Sequence, residues 1–437
     1  MRTMLLFVVA LIAGATLGCG GADEEAAAGG DSPSSGPTWR RDIEPLVQAK
    51  CQTCHRPGGI APFALQTYDE VHEVRELVKA AVTSRLMPPW LADGACAEYA
   101  HDLSLDEMQI ATFAKWVDSG APEGDAAGAE IDEAPATMSR IDLSLTMPEP
   151  YTAQQDPDDY RCFLIDWPES ETAYVTGFQA RPGNAEVVHH VIAFLIPPEA
   201  AADYAAMDEA EEGAGYTCFG GPGGGNDPGV SWIGSWAPGN MGGDLPAGTG
   251  LEVKPGSKIA LQVHYNTVNG RQPDQTGIDL RIDRSVEKRA AWQFFADIQW
   301  LFPGGMKIPA GEPDVSHEFS VDPTPYFSDG NPFLIHKVGL HMHTRGTSAR
   351  LSKTRADGTE ECLLDIPRWD FHWQYNYDLA TPTLVSPGDE LNIGCHWDNS
   401  AKNQPVVDGK QVQPKDLSWG EGTGDEMCLG AIYVSEP

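Results

Sequence analysis

From about residue 140 the chain breaks into short runs that alternate apolar and polar side chains, each closed by a turn cluster. "CFLIDW" at 162–167, "AYVTGFQA" at 173–180, "KIALQVHYNT" at 258–267 and "ELNIGCHW" at 390–397 are such runs, with "KPGS" and "SPGD" among the turns. A period of two sends successive side chains to opposite faces of a strand. The apolar set is then buried only when strands pair and a second layer covers them. The 46 glycines and 34 prolines supply the turns this requires. Residues 141–437 are too many for one sandwich of about 100 residues. The expected fold is mainly β, with two tandem antiparallel β-sandwich domains of jelly-roll type, 141–285 and 286–437.

The preceding stretch has a helical texture. "RDIEPLVQAK", "TYDEVHEVRELVKAAVTSR" and "SLDEMQIATFAKWVDSG" space their apolar residues three and four apart. Ser104 with Glu107 reads as a helix N-cap, and Met108 as a core residue of that helix. These segments predict a small all-α domain at 38–125, followed by a linker at 126–140. The chain opens with "MRTMLLFVVALIAGATLGCGG", in which Arg2 precedes an apolar run from Met4 to Ile12. That run is shorter than the ~20 residues of a membrane span and reads as a secretory signal at 1–19. Cys19 stands where a lipoprotein is cleaved and acylated, but Thr16 and Leu17 are not the preferred lipobox pair, so simple cleavage is the alternative. Residues 20–37 read as a flexible tether. The protein is expected to be exported, periplasmic or held at the outer membrane as a lipoprotein. With 29 basic and 64 acidic residues the net charge is −35, which repels nucleic acid and anionic membrane surfaces. A lipid anchor is therefore the expected membrane contact.

"KCQTCHRPGG" contains Cys51-x-x-Cys54-His55, the attachment pattern of a c-type heme: two thiols form thioethers and the adjacent imidazole reaches the iron. A zinc knuckle would need two further ligands, which Cys96 and His101 could supply. A redox dithiol would need a βαβ setting, and none is predicted. Met87 precedes two prolines that stiffen the chain, and it is the expected second axial ligand, with His101 as rival. The segment resembles small bacterial cytochrome c modules, down to "MPPW" and "WVDSGAPEGD".

The β part carries its own histidines. "AEVVHHVIAF" sets His189 beside His190, and "IALQVHYNT" places His264 on a strand with Gln262 on the same face. "KVGLHMHTRG" spaces His341 and His343 by two, again one face, and "GTGDEMCLGAIY" places Met427 before Cys428. Taken singly, a strand histidine is more often structural than a ligand, and a buried methionine is usually core. Their joint order, with "PRWDFHWQYNY" and "SPGDELNIGCHW", resembles the copper type II ascorbate-dependent monooxygenases over roughly 140–437. That family includes peptidylglycine α-hydroxylating monooxygenase and dopamine β-monooxygenase.

The resemblance implies two copper ions facing one another across a solvent-filled cleft. His189, His190 and His264 match the electron-transfer site; His341, His343 and Met427 match the site where dioxygen and substrate react. For adjacent histidines to share one ion, the strand must depart from the ideal pleat at 188–191, and ligation through Nδ1 would help. A soft thioether at Met427 favours cuprous ion. Gln262 and Tyr160 are either supports of the first site or strand filler. His72, His317, His336, His372 and His396 are not expected to be ligands.

Six cysteines remain, an even number that suits disulfides in an oxidising compartment. Cys428 is expected to pair with Cys395, and the family pattern implies Cys162 with Cys218. Cys96 and Cys362 either bridge or stay free.

The implied reaction turns a C–H bond, dioxygen, two electrons and two protons into an alcohol and water. Electrons would come from an ascorbate-like reductant or a periplasmic redox protein, passing through the fused heme. Peptide-hydroxylating members bind the substrate carboxylate with an arginine where this chain has Gly339, and Leu429 and Ala431 replace further polar residues. A small hydrophobic or aromatic substrate is therefore expected. A non-catalytic heme and copper electron carrier is the competing reading.

Overall fold

Helices form where caps and apolar spacing coincide. Tyr68–Thr83 starts at Thr67, whose hydroxyl accepts from the Glu70 N–H while the Glu70 carboxylate accepts from the Thr67 N–H. Its inward face carries Val71, Val78 and Val82. Glu107–Asp118 is capped by Asp106 with Gln109, not by Ser104 with Glu107 as expected. Ile110, Phe113, Trp116 and Val117 then face the core with Trp39, Ile43 and Val47. Met108 is left on the outer face, 74% exposed, which corrects its expected place in the core. The short helix Glu44–Lys50 completes the set before the "CQTCH" turn.

The computed structural model describes residues 36–57, 59, 61–125, 138–223, 229–237, 240, 242–268, 270–407 and 410–437. The expected signal, Cys19, nearly all of the tether and most of the 126–140 linker lie outside the described residues. Pro37–Pro437 form one compact unit.

The chain is mainly β. A nine-stranded sheet runs in the order Leu143–Thr146, Gly277–Asp283, Ala173–Arg181, Thr249–Val253, Lys288–Phe295, Leu429–Ser435, Phe333–His341 and Asn376–Val385, with Gly243–Asp244 beside Ala173–Arg181. This sheet crosses the expected boundary at 285, because Thr249–Val253 pairs in parallel with Lys288–Phe295. Each half of the chain then adds its own smaller sheet. Tyr216–Thr217, Asp158–Asp166, Lys258–Asn266, Val188–Ile196 and Ser231–Trp236 form one; Val315–Val321, Glu390–Trp397, Gly346–Thr354 and Glu360–Ile366 form the other. Two apolar cores lie between the layers. Phe163, Val175, Leu261 and Val263 belong to the first, and Ile335, Val338, Leu351 and Ile393 to the second.

Three disulfides join Cys162 to Cys218, Cys395 to Cys428 and Cys96 to Cys362. The last settles the alternative left open by the sequence, and it ties the helical segment to the second half. Around it Asp93 N–H donates to Asp365 O at 2.8 Å, Ala380 N–H to Glu98 O at 2.9 Å and Tyr99 OH to Leu363 O at 3.2 Å. A bridge between residues 266 apart restricts the unfolded chain strongly. Replacing both cysteines by serine should cost about 2–4 kcal/mol. Chemical denaturation checks this, with helical-segment and sheet unfolding expected to separate in the variant.

Candidate metal centres

His189 and His190 reach one site because their strand bulges. Lys258–Asn266 pairs His264 with His190 but Tyr265 with Val188, so His189 is the extra residue. The ligand nitrogens of His189, His190 and His264 all lie within 4.8 Å of one another. His264 Nδ1 is 3.3 Å from His190 Nδ1, while His264 Nε2 is 2.9 Å from Asp158 Oδ1. His264 therefore turns Nδ1 to the cluster and hands its far nitrogen to a carboxylate, the arrangement that raises a ligand's basicity. His189 Nδ1 is buried without a hydrogen-bond partner. Tyr160 stacks on His264 with centroids 4.1 Å apart, its hydroxyl donating to Glu421 O at 3.3 Å. Gln262 Nε2 instead donates to Cys218 O at 2.7 Å and Gly221 O at 3.1 Å, so it braces the disulfide turn.

The second group is set by register. His341 ends its strand paired with Leu429, and His343 lies two residues beyond that pair while Met427 lies two residues before it. His341 Nε2 and His343 Nε2 are 3.2 Å apart. Their other nitrogens are occupied: His341 Nδ1 is 2.5 Å from Gln374 Oε1, and His343 Nδ1 is 3.1 Å from Asp425 O. Met427 is buried and lines the same cavity as both histidines. Glu426 is fully buried and accepts from His343 N–H at 3.0 Å, Arg345 N–H at 2.6 Å and Trp397 Nε1–H at 2.9 Å. It ties the HxH turn to the methionine segment.

Both groups line one cavity of about 310 Å³. The Phe371 ring stands between them, 5.4 Å from His189 and 6.0 Å from His343, where the resemblance implied open solvent. Ile192, Phe194, Trp232, Phe294 and Leu340 make much of the remaining wall apolar.

The imidazoles face a cavity and keep some accessible edge, yet protein surrounds them. Burial pushes His189 and His343 down to about 3, helped by the neighbouring rings, and holds His190 and His341 below the ordinary histidine range. Four neutral imidazoles are the form a metal requires. Burial alone would raise Asp158, but its bond to His264 holds it below the usual carboxylate range. Burial pushes Glu421 and Glu426 up to about 7.

These shifts fix a sign. Below about 6.5 the unfolded chain takes up protons that the buried histidines refuse, so each removes stability as pH falls. The two glutamates act oppositely between about 7 and 4.5, because their folded form holds the proton. Four histidines outweigh two carboxyls, and the metal-free protein should lose stability between neutrality and about pH 5. Urea midpoints at the two pH values check this; an unchanged or higher midpoint in acid would contradict it.

A single imidazole–imidazole hydrogen bond would explain either close pair alone. It does not explain a third, unpartnered nitrogen at His189, nor the occupied outer nitrogens on His264, His341 and His343. The donor sets fit copper: three imidazoles in one, two imidazoles with a thioether at hand in the other.

Of the remaining expected residues, Cys51 and Cys54 carry unpaired thiols, and burial pushes Cys51 up to about 12. His55 Nδ1 is 3.0 Å from Phe63 O, so Nε2 is the ring nitrogen that could ligate an iron. This set fits a covalently held heme. Met87 is half-buried with its N–H on Ala81 O at 3.2 Å, and no described contact joins it to Cys51, Cys54 or His55. His336 is a buried hydrogen-bonder, with Nε2 2.8 Å from Ser435 Oγ. His372 is exposed and His396 half-buried, and both lie outside the two groups.

Spacing and pattern missed Asp158, Phe371, Gln374 and Glu426. Glu426 had a signal, as the second residue of an acidic pair with Asp425 directly before Met427.

Residues 306–435 match the family model described as copper type II ascorbate-dependent monooxygenase, C-terminal domain. Two curated relatives are similar over longer stretches. DBH-like monooxygenase protein 2 from Mus musculus is 24% identical over 301 residues, 61% of this chain and 43% of that protein. MOXD1 homolog 1 from Drosophila melanogaster is 22% identical over 209 residues, 45% of this chain and 27% of that protein. The chain thus spans less than half the length of the curated relatives it matches.

Proposed function

We propose that the chain is an exported copper-dependent monooxygenase that hydroxylates a C–H bond of a small uncharged organic molecule. The observation that carries this reading is the meeting of His189, His190 and His264 with His341, His343 and Met427 on one largely apolar cavity. Copper at the two groups would supply one-electron redox chemistry and the activation of dioxygen. Three disulfides fit an exported protein, and among the described residues no helix is long and apolar enough to cross a membrane.

The chain's own residues define the rest. Asp158, Gln374 and the Asp425 carbonyl orient His264, His341 and His343 and keep the inward nitrogens deprotonated. Phe371, Trp232 and Phe294 exclude water and offer apolar contact to a substrate ring or chain. Among the described residues that line the cavity there is no lysine or arginine to meet a carboxylate, and a side chain at Gly339 would meet Asn376 Oδ1 at 2.2 Å. The overall conversion consumes a C–H bond, dioxygen, two electrons and two protons and yields an alcohol and water. We assign electron supply to a c-type heme on Cys51, Cys54 and His55, itself reduced by a periplasmic redox protein or a small ascorbate-like reductant.

The test is oxygen uptake by copper-loaded protein with a reductant across a panel of small aromatic and alicyclic compounds. The proposal expects one oxygen atom of labelled dioxygen in an alcohol product. Metal-dependent electron transfer with no oxygen incorporated into any of the panel would favour the electron-carrier reading.

A further inference from the structure

A second cavity, of about 660 Å³, adjoins the first: Ser235, Asn240, Tyr375 and Asn376 line both. Its other side is the helical segment, with Thr53 from within the Cys51–Cys54 turn, Trp90, His101 and Leu103. Tyr375 therefore has the heme-attachment turn on one side and the copper cavity on the other. Its ring lies 6.2 Å from Trp90 and 6.1 Å from Tyr377, and Trp90 meets Tyr377 at 4.9 Å. Burial first, and then the neighbouring Cys54 sulfur, push the Tyr375 phenol up. One residue back along the chain, Gln374 Oε1 is 2.5 Å from His341 Nδ1. A covalent path through the Tyr375–Gln374 peptide and the Gln374 side chain, then one hydrogen bond, thus connects the Tyr375 ring to a ligand of the methionine group.

The three-histidine cluster is reached from that side by a longer path: Gln374 Nε2–H donates to Phe371 O at 2.9 Å, and the Phe371 ring lies 5.4 Å from His189. Its supports, Asp158 and Tyr160, lie on Asp158–Asp166, in the five-stranded sheet. The helical segment is fastened to the other half through the Cys96–Cys362 bridge, Asp93 to Asp365, Ala100 to Asp378 and Arg85 to Arg368.

We propose that electrons enter the copper cavity through Tyr375 and Gln374 and arrive first at the His341, His343 and Met427 group, not at the three-histidine cluster. This rests on the heme and copper assignments above. Each transfer moves one electron: ferrous c-type heme iron becomes ferric and a cupric ion at the methionine group becomes cuprous, with no bond made or broken. The three-histidine copper is then filled from within the cavity, across Phe371.

The full-length protein, heme attached and cupric ion loaded without oxygen, allows the test. The heme is reduced by a light flash and the decay of its ferrous absorption band is followed, with heme midpoint potential and visible spectrum recorded for every variant. Tyr375→Leu should slow the decay roughly tenfold or more, equivalent to about 1.4 kcal/mol of barrier, while Tyr375→Trp keeps the wild-type rate. Gln374→Leu should slow it as well, giving a second measure should Tyr375→Leu fail to fold. His264→Ala, which dismantles the three-histidine cluster, should leave the fast phase in place. A fast phase lost in His264→Ala, or kept in both Tyr375→Leu and Gln374→Leu, would overturn the route. If wild-type ferrous heme keeps its electron in the presence of cupric ion, the heme supply itself is wrong and the route falls with it. Copper-dependent hydroxylation with an external reductant would survive that result, so the two failures are distinguishable.

Discussion

Met427→Ala should fold, keep copper at His189, His190 and His264, and lose hydroxylation by more than the roughly 10–100-fold that removing a supporting residue costs. The side chain is buried, and truncating a buried methionine costs about 2–5 kcal/mol. The segment is nevertheless held on both sides. Cys428 is bridged to Cys395, and Leu429–Ser435 lies between Lys288–Phe295 and Phe333–His341. The loss should therefore fall on chemistry more than on folding. Without the thioether, His341 and His343 still present two nitrogens, but the soft donor that favours cuprous ion is gone. Product formation and sulfur scattering at the copper X-ray absorption edge read the two consequences separately. Full activity in Met427→Ala would remove the methionine from the site.

Glu426→Ala should have the largest effect on stability. The carboxyl is fully buried and serves three donors, each of which loses its acceptor: His343 N–H, Arg345 N–H and Trp397 Nε1–H. A buried donor left unsatisfied costs about 1–3 kcal/mol, so a loss of about 3–9 kcal/mol is the simple sum for three. Arg345 is 4% exposed and also loses the attraction of a carboxyl that burial pushes up to about 7. The melting temperature should fall by several degrees, since the shift is about 2–4 °C per kcal/mol for 150–250 residues and smaller for a longer chain. Copper affinity at the methionine group should drop with it, because Glu426 holds the His343 N–H and directly precedes Met427 in the chain. Glu426→Gln keeps one acceptor oxygen and turns an amide N–H toward another donor, so it should lie between. A Glu426→Ala protein that melts like the wild type would show that the network does not carry this part of the fold.

What the sequence revealed follows from what is local. The HxH pair at His341 and His343, and the strand histidine at His264, are visible because a period of two fixes a face without reference to the rest of the chain. The adjacent histidines were visible as a problem: only a bulge turns His189 toward His190, and a bulge is set by the partner strand, here at His264 and Tyr265. Contacts made across the fold left no such mark. Asp158 meets His264 across 106 residues and Gln374 meets His341 across 33, and neither spacing has a pattern. The shared nine-stranded sheet depends on a parallel pairing at Lys288–Thr249 that has no turn signal. The helix cap falls at Asp106, two residues beyond the expected one, because its carboxylate accepts from Gln109 N–H while the Gln109 side chain accepts from Asp106 N–H; Met108 lies on the exposed face of that helix.

Diffraction at the copper absorption edge from crystals of the metal-loaded protein addresses the central claim most directly. Two anomalous peaks are predicted, one bonded to His189, His190 and His264, the other to His341, His343 and Met427, on either side of Phe371. A single peak, or a second one away from Met427, would contradict the account.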